Sequence, residues 1–398
     1  MEIKDIFKRA KKIHIVGIGG ISMSAIAKML MHKGYIVSGS DAKKSTYTQQ
    51  LEMLGVKIHI GHRKTNVPKD ADIVVYSLSI KQDNPELKQS KALNIMQLKR
   101  GEVLGLLSQE YKHVIAVSGM HGKTTTTAMI YSIFKECGKN PTLHIGGEID
   151  GVNKNLVLGE DDYFITEACE YGDSFLSLHP EVSIINNVEK EHLDYFKNLN
   201  NIYKSFNRFM LQSKVCYLNA CLKSKLINFD QNYYGAGGYV RAKNIKKCKV
   251  GCVFDAWFGD EFYGKVRLNI EGKHNVHNCL GALCVAKFYS LNKDKVLRGI
   301  EKFSGVKMRF ESVGKYDGHN VIFDYAHHPT EIKSSIKTAL SLGKNKVYVY
   351  FQPHTYSRTK MLKTQFKKCF KGAESVFVCS TYKAREKYDF AGDEKVLA

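Results

Sequence analysis

The sequence predicts an α/β protein built from three domains, and three observations carry that expectation. Its 398 residues exceed what one hydrophobic core holds, since cores rarely grow past about 250–300 residues. Short apolar strands alternate with amphipathic helices, the pattern of a mostly parallel sheet covered by helices. That alternation restarts at His113 and again near Gly305, which places the domains at 1–108, 109–305 and 306–398. No Pro-rich or Ser-rich linker marks the joints.

In the first unit, Ile13–Val16 is a strand that runs into Gly17-Ile18-Gly19-Gly20. A helix over 22–32 follows, with Ile26, Met29 and Leu30 on one face. Further strands are expected at 35–41, 57–60 and 72–77. The second unit opens with a strand at 113–117, and others recur near 163–166, 182–185 and 215–218. Between about 226 and 272 the period changes to two, and 254–258 with 262–270 reads as an antiparallel hairpin. Helical periodicity returns at 275–289 and 293–303. The third unit is expected to hold strands at 320–324, 346–351 and 375–380 and helices at 330–342 and 359–370. Three strands are few for a doubly wound domain, so this unit is expected to be incomplete.

Composition excludes several classes. Hydrophobic residues make up 43% and charged ones 25%, which rules out a disordered or collagen-like chain. No stretch approaches the roughly 20 apolar residues of a membrane span, and Met1 to Lys12 lacks the apolar run of a signal peptide. Ten cysteines without a Cys-x-x-Cys pair suit neither a disulfide scaffold nor a zinc ribbon. A cytoplasmic protein without membrane partners is therefore expected. The net charge of +21 is spread along the chain rather than gathered in a basic tail or stripe, so no nucleic-acid partner is expected. It reads as a lysine-rich surface suited to anionic substrates.

The strongest motif is Ser118-Gly119-Met120-His121-Gly122-Lys123-Thr124-Thr125, directly after a strand. A Gly-rich turn opening a helix aims backbone N–H groups and the positive helix end at a phosphate. Lys123 adds a charge for the β- and γ-phosphates, and Thr124 offers a hydroxyl to Mg²⁺. Val117 stands where the strict pattern has its first Gly, and Gly119 supplies the turn instead. The alternative is an ordinary strand–turn–helix junction, which four threonines straight after Gly-Lys argue against. Gly17-Ile18-Gly19-Gly20-Ile21-Ser22 sits at a similar junction and suits a diphosphate, with Asp41 placed to meet a ribose hydroxyl. Taken alone that string equally suits a plain tight turn.

Thr166-Glu167-Ala168-Cys169-Glu170 and Glu189-Lys190-Glu191-His192 follow two further strands, at the edge where open parallel sheets bind ligands. One of these carboxylates is placed to meet a metal held by Thr124, and His192 a second one; solvated loop acids are the alternative. His274-Asn275-Val276-His277-Asn278 opens a helix, where such residues either cap it or reach a purine edge. The third unit adds Met308-Arg309, and Asp324-Tyr325-Ala326-His327-His328 and His354-Thr355-Tyr356-Ser357-Arg358, of which the last two follow expected strands. By spacing alone His327-His328 is a loop pair rather than a metal site.

In this order, from about residue 12 to 388, these strings resemble the Mur ligases. The resemblance implies a Rossmann-like N-terminal domain that binds a UDP-sugar, a central P-loop-type ATPase domain with a small antiparallel part, and a Rossmann-like C-terminal domain. It implies an amide ligase: ATP phosphorylates the lactyl carboxylate of UDP-N-acetylmuramate, and the amine of L-alanine attacks the acyl phosphate. By the family pattern ATP and Mg²⁺ are required, and the enzyme is a monomer or homodimer. Gly119, Met120, His121, Gly122, Lys123, Thr124 and Thr125 would hold the ATP phosphates. His274, Asn275 and Asn278 would lie near the adenine, with Arg309 and Asp324 closing from the third domain. Thr124 and Glu167 would bind one Mg²⁺ and His192 a second. Gly17, Gly19, Gly20, Ser22, Asp41 and Ser77 would hold the UDP-sugar, and His327, His354 and Arg358 would face the muramyl and alanine end. Lys123, Glu167, His192, Arg309 and His327 would then be the catalytic set. Ser22, Met308 and Thr355 depart from the Gly and two Arg usual in the family. A related ligase for another amine or peptide, and a catalytically impaired nucleotide-binding protein, remain the alternatives.

Overall fold

The computed structural model describes residues 3–149, 155–160, 162–226, 228–343, 346–384 and 386–397. In the first unit a short helix α1 (Ile3–Arg9) precedes β1 (Lys12–Val16), α2 (Ile21–His32), β2 (Ile36–Asp41), α3 (Thr46–Met53) and β3 (Lys57–Ile60). β4 (Ile73–Tyr76), α4 (Pro85–Ala92), β5 (Met96–Lys99) and α5 (Arg100–Ser108) complete it. The five strands form one parallel sheet in the order β3-β2-β1-β4-β5. β1 and β4 lie at its centre and are almost wholly buried, as a strand covered on both faces must be.

The second unit contains β6 (His113–Ser118), α6 (Lys123–Glu136), β7 (Thr142–His144), β8 (Leu156–Val157), β9 (Tyr163–Glu167), β10 (Val182–Ile185), α7 (Leu193–Phe196) and α8 (Leu199–Gln212). β11 (Val215–Asn219), β12 (Tyr233–Tyr234), β13 (Val240–Lys247), β14 (Cys252–Phe258), β15 (Glu261–Leu268), α9 (His274–Phe288) and α10 (Lys293–Glu301) follow. Among the described residues these strands form one ten-stranded sheet, in the order β15-β14-β13-β12-β11-β10-β6-β9-β7-β8. The antiparallel part has three strands, not the expected two. β13 is mostly exposed and lysine-rich, so it carries no alternating signal. The turn between β14 and β15 has the two residues Gly259-Asp260, with Gly259 at φ +57°, as a tight hairpin requires.

The third unit differs more from expectation. β16 (Glu311–Tyr316) and β17 (His319–Phe323) form a separate antiparallel hairpin, so the strand read at 320–324 is not part of a parallel sheet. Asp317 and Gly318 both have positive φ, which is the two-residue turn that matches strand twist. α11 (Pro329–Ser341), β18 (Tyr348–Phe351), α12 (Tyr356–Met361), α13 (Lys363–Cys369) and β19 (Ser375–Val378) follow. β18 and β19 pair in parallel. The single helix expected over 359–370 is two helices meeting at Leu362.

One continuous core joins the first two units: Ile15, Leu30 and Leu107 belong to the same buried cluster as Phe164, Phe175 and Phe209. α5 packs on residues 171–177 so closely that a Cβ on Gly105 would collide with the Ser177 carbonyl oxygen. The third unit has a small core of its own around Ile332, Phe351 and Phe366.

Candidate active site

The loop between β6 and α6 is shaped by two glycines and two asparagines. Gly119 has φ +130° and Gly122 has φ +79°, conformations that cost an L side chain energy. A Cβ on Gly122 would lie 2.5 Å from Asn278 Oδ1. Asn187 follows β10 and brackets the loop, accepting from the His121 N–H at 2.9 Å and donating to the His121 carbonyl at 3.0 Å. Asn186 donates to Thr126 Oγ1 at 3.1 Å and accepts from the Tyr234 hydroxyl at 2.8 Å. Both asparagines act on the loop, and neither was among the sequence-derived site residues; an Asn pair directly after a buried strand was the available signal.

Lys123 Nζ donates to the Gly119 carbonyl and, at 3.0 Å, to Glu170 Oε2. Glu170 is 2% exposed, and its other oxygen lies 3.5 Å from His192 Nε2. Burial alone would raise the Glu170 carboxyl, but the charges of Lys123 and His192 hold it down at about 2. Burial would likewise lower the Lys123 ammonium, and Glu170 more than offsets it, so its pKa is raised. Glu170, Glu191 and His192 present ligand atoms within 4.8 Å of one another. Sequence reasoning counted Glu170 and Glu191 among the candidate carboxylates but singled out Glu167 and His192.

Thr124 and Glu167 border the Gly146-Gly147 turn. The Gly146 N–H donates to Glu167 Oε1 at 2.8 Å, and a Cβ on Gly147 would lie 2.9 Å from Thr124 Cγ2. The buried Thr124 and the second oxygen of Glu167 are hard donors of the kind a small divalent cation takes, so these residues fit one.

His121, Gly122, Thr124, Thr125, His274, Asn275, Asn278, Arg309 and Asp324 all line one cleft of about 760 Å³ between the central and third units. Gly119, Met120 and Lys123 lie in the same loop but do not line it. Asn278 donates to Asn275 Oδ1 at 2.9 Å, and Asn275 to the Glu271 carbonyl at 2.6 Å. Ser334 pairs with His274 at 2.9 Å across the domain boundary. Asp324 is held by the Ser335 hydroxyl, and its burial raises its pKa. The Arg309 guanidinium stands 5.5 Å from the Tyr325 ring centre.

At the other end, Arg358 donates to Glu191 Oε1 at 2.9 Å and meets His354 Nδ1 at 2.9 Å. The rings of His354 and His327 are 5.7 Å apart. Burial, aided by the Arg358 charge, pushes His354 down to about 4, and burial lowers His327 too. The third-unit residues expected at one end are thus together, and Glu191 links them to His192.

In the first unit Gly17 and Ser77 are neighbours: a Cβ on Gly17 would be 3.7 Å from Ser77 Oγ. Two side chains there are already engaged. Asp41 accepts from the Gly19 N–H at 2.9 Å and so closes the glycine turn. Ser22 Oγ lies 2.9 Å from His144 Nε2 and accepts from Arg100 at 3.2 Å, which ties α2 to the central unit. Arg100 is half-buried, forms no ion pair among the described residues, and was not foreseen.

Residues 12–112 match the Mur ligase family, catalytic domain; residues 117–286 match the Mur ligase middle domain; residues 308–394 match the Mur ligase, glutamate ligase domain. A UDP-N-acetylmuramate–L-alanine ligase of Clostridium perfringens is 40% identical over 97% of this chain and 86% of its own. One from Clostridium botulinum is 42% identical over 97% of this chain and 85% of its own. Among solved structures, the UDP-N-acetylmuramate–alanine ligase of Thermotoga maritima superposes with a TM-score of 0.82 at 29% identity, covering 94% of this chain and 86% of that one. A murein peptide ligase from Psychrobacter arcticus shares the fold, with a TM-score of 0.73 at 24% identity over 92% of this chain and 84% of that one. With three consecutive domain matches and relatives similar along nearly its whole length, the chain belongs to the Mur ligase family.

Proposed function

We propose that this protein joins L-alanine to the lactyl carboxylate of UDP-N-acetylmuramate at the expense of ATP, in cytoplasmic synthesis of peptidoglycan precursors. One observation carries the reading. A phosphate-type loop whose lysine meets a buried carboxylate–histidine pair stands beside an interdomain cleft, in a chain 40–42% identical to ligases of that name. We assign UDP-sugar binding to residues 1–108, ATP binding to 109–305 and closure over the site to 306–398.

A carboxylate is a poor electrophile toward an amine. Transfer of the γ-phosphoryl group from ATP to the lactyl oxygen makes an acyl phosphate and releases ADP. The alanine nitrogen then attacks the carbonyl carbon, the C–O bond to phosphate breaks, and the amide and inorganic phosphate leave. A phosphoryl group in flight needs positioning and charge neutralisation more than covalent help. Lys123 and the loop N–H groups supply positive potential to the phosphates. Thr124 with Glu167 would hold one Mg²⁺, and His192 with Glu170 and Glu191 a second; bound there, the ions would offset the charge of the phosphates. Asn275, Asn278 and His274 face the purine, while Arg309 and Asp324 close on phosphate and ribose. At the amine end Arg358 meets the alanine carboxylate. His327 Nδ1 lies 2.9 Å from the Tyr325 carbonyl, so the neutral ring donates there and keeps Nε2 free to take the ammonium proton. The Gly17–Ser22 turn, Ser77 and Arg100 hold the diphosphate.

The test is phosphate release by the purified protein with ATP, Mg²⁺, UDP-N-acetylmuramate and L-alanine. Release that requires all four is expected; release indifferent to L-alanine would overturn the reading. Competition among L-alanine, glycine, L-serine and a tripeptide decides the amine, and binding of ATP and UDP-sugar without turnover would mark an impaired enzyme.

A further inference from the structure

The His121 side chain leaves the phosphate loop and meets groups from two other segments. Its Nε2 stands 3.6 Å from Glu189 Oε2, in the loop after β10. The same oxygen lies 3.7 Å from Nδ1 of His328; that nitrogen accepts from the Thr330 N–H at 3.3 Å as the cap of α11, so the nitrogen His328 has to offer is Nε2. Ligand atoms of His121, Glu189 and His328 all fall within 4.8 Å of one another. At 3.6 Å His121 Nε2 and Glu189 Oε2 are too far apart for a hydrogen bond, but an ion about 2.0–2.2 Å from each donor spans them.

A second observation points the same way. The Nε2 atoms of His121 and His328 are both buried without a hydrogen-bond partner, and His328 as a whole is 5% exposed. Buried polar nitrogens are almost always partnered, so two orphans in one cluster call for an occupant. The surrounding bonds also prepare the set. Glu331 Oε1 lies 3.0 Å from His121 Nδ1, which orients the ring and leaves Nε2 as the nitrogen that faces Glu189. Carboxylate–histidine–metal chains are built in this way. Thr330 Oγ1 donates to Glu189 Oε2 at 2.7 Å and orients the carboxylate.

We propose that His121, Glu189 and His328 bind one transition-metal ion of the Zn²⁺ class, which clamps the phosphate loop to the start of α11. Two imidazoles and one carboxylate form a nitrogen-rich, borderline-soft set, which favours Zn²⁺ or Co²⁺ over the oxygen-seeking Mg²⁺. Three protein ligands leave a fourth position. His121 and Glu189 also line the interdomain cleft, so that position opens toward it. This site is separate from the Mg²⁺ positions of the ligase reading, and its test does not pass through activity.

The full chain, stripped with EDTA and desalted, is titrated with Co²⁺ alone in excess Mg²⁺, which fills the oxygen-rich positions. One equivalent is expected to bind with visible d–d absorption and without a thiolate charge-transfer band, and Zn²⁺ is expected to displace it. Glu189→Gln and His328→Asn are each expected to weaken Co²⁺ by tenfold or more. Asn is itself a good helix cap, so His328→Asn keeps the start of α11. His319→Asn, on the exposed hairpin, is expected to change nothing. Absence of stoichiometric binding by the wild type, a thiolate band from the cysteines, or affinity that survives both substitutions overturns the proposal. Should either variant misfold by circular dichroism, the wild-type spectrum and a Zn²⁺-induced rise in Tm reversed by EDTA decide it.

Discussion

At Gly122 the backbone stands at φ +79° with Asn278 on one side and α6 on the other, so a methyl group there meets strain and a collision together. Left-handed backbone costs an L residue roughly 1–2 kcal/mol before any clash. Gly122→Ala is therefore expected to weaken ATP binding by tenfold or more, read by calorimetry. Lys123 shows how much of the site one residue can anchor. Removing its ammonium leaves Glu170 charged and buried with His192 as its remaining partner. Lys123→Met is expected to lower kcat/KM by about 100-fold or more, the size seen when a preorganised charge-stabilising group is lost. Steady-state phosphate release checks it. The glycines and Lys123 were legible because their order along the chain is itself the motif. Glu170 was not, because Glu167 and Glu170 flank the same Ala-Cys pair, and only the exit path of β9 decides which carboxylate meets the lysine.

Helix α11 carries its own start signals, Pro329 in its first turn and Glu331 at the third position. The Glu331 carboxylate accepts from the N–H groups of His327 at 3.0 Å and His328 at 3.2 Å, and it also grips His121. One side chain thus caps a helix and docks a domain. A charge-assisted hydrogen bond is worth about 1.5–3 kcal/mol, so Glu331→Ala is expected to lower kcat/KM by roughly 10- to 100-fold. Circular dichroism should show the helix content kept. Helix α4 does comparable work in the first unit. Its Glu86 is fully buried and holds His14 at 2.9 Å, His62 at 3.0 Å, Ser40 at 2.7 Å and Asn66 at 3.0 Å. Burial would raise this carboxyl, but these hydrogen bonds keep it down at about 2. A depressed carboxyl stabilises the fold above its unfolded value near 4.5 and ceases to as pH falls toward 2. Urea midpoints are expected to drop across that window, and Glu86→Gln to flatten the drop. The capping sequence of α11 could be read directly. The Glu86 network could not, since its members are spread from residue 14 to residue 86. The hairpin of β16 and β17 was not read from the sequence although Asp317-Gly318 signals its turn, because its strands are largely exposed and show no alternation.

The first two units share a core, whereas the third has its own small one and, beyond Val306 at its start, touches the rest mainly through polar groups. Its ties include His121 with Glu331, Thr330 with Glu189, Arg358 with Glu191 and Ser334 with His274. Such an interface yields before a hydrophobic core does. Thermal unfolding is expected in two steps, the third unit first, and limited proteolysis is expected to cut near 305–312 while the first two units persist. A single cooperative transition would oppose that expectation. The chain's +21 charge suits ligands rich in phosphate without localising them. What the sequence alone determined was the class, the number of units and the glycine-rich loops at strand ends, because these depend on local periodicity and on residues a few positions apart. The tertiary structure alone decided which carboxylate meets Lys123, that Ser22 and Asp41 are already engaged, and how His328 comes to His121. Those pairings join residues dozens to hundreds of positions apart, and only the strand order of two sheets and the docking of a third unit bring them within reach.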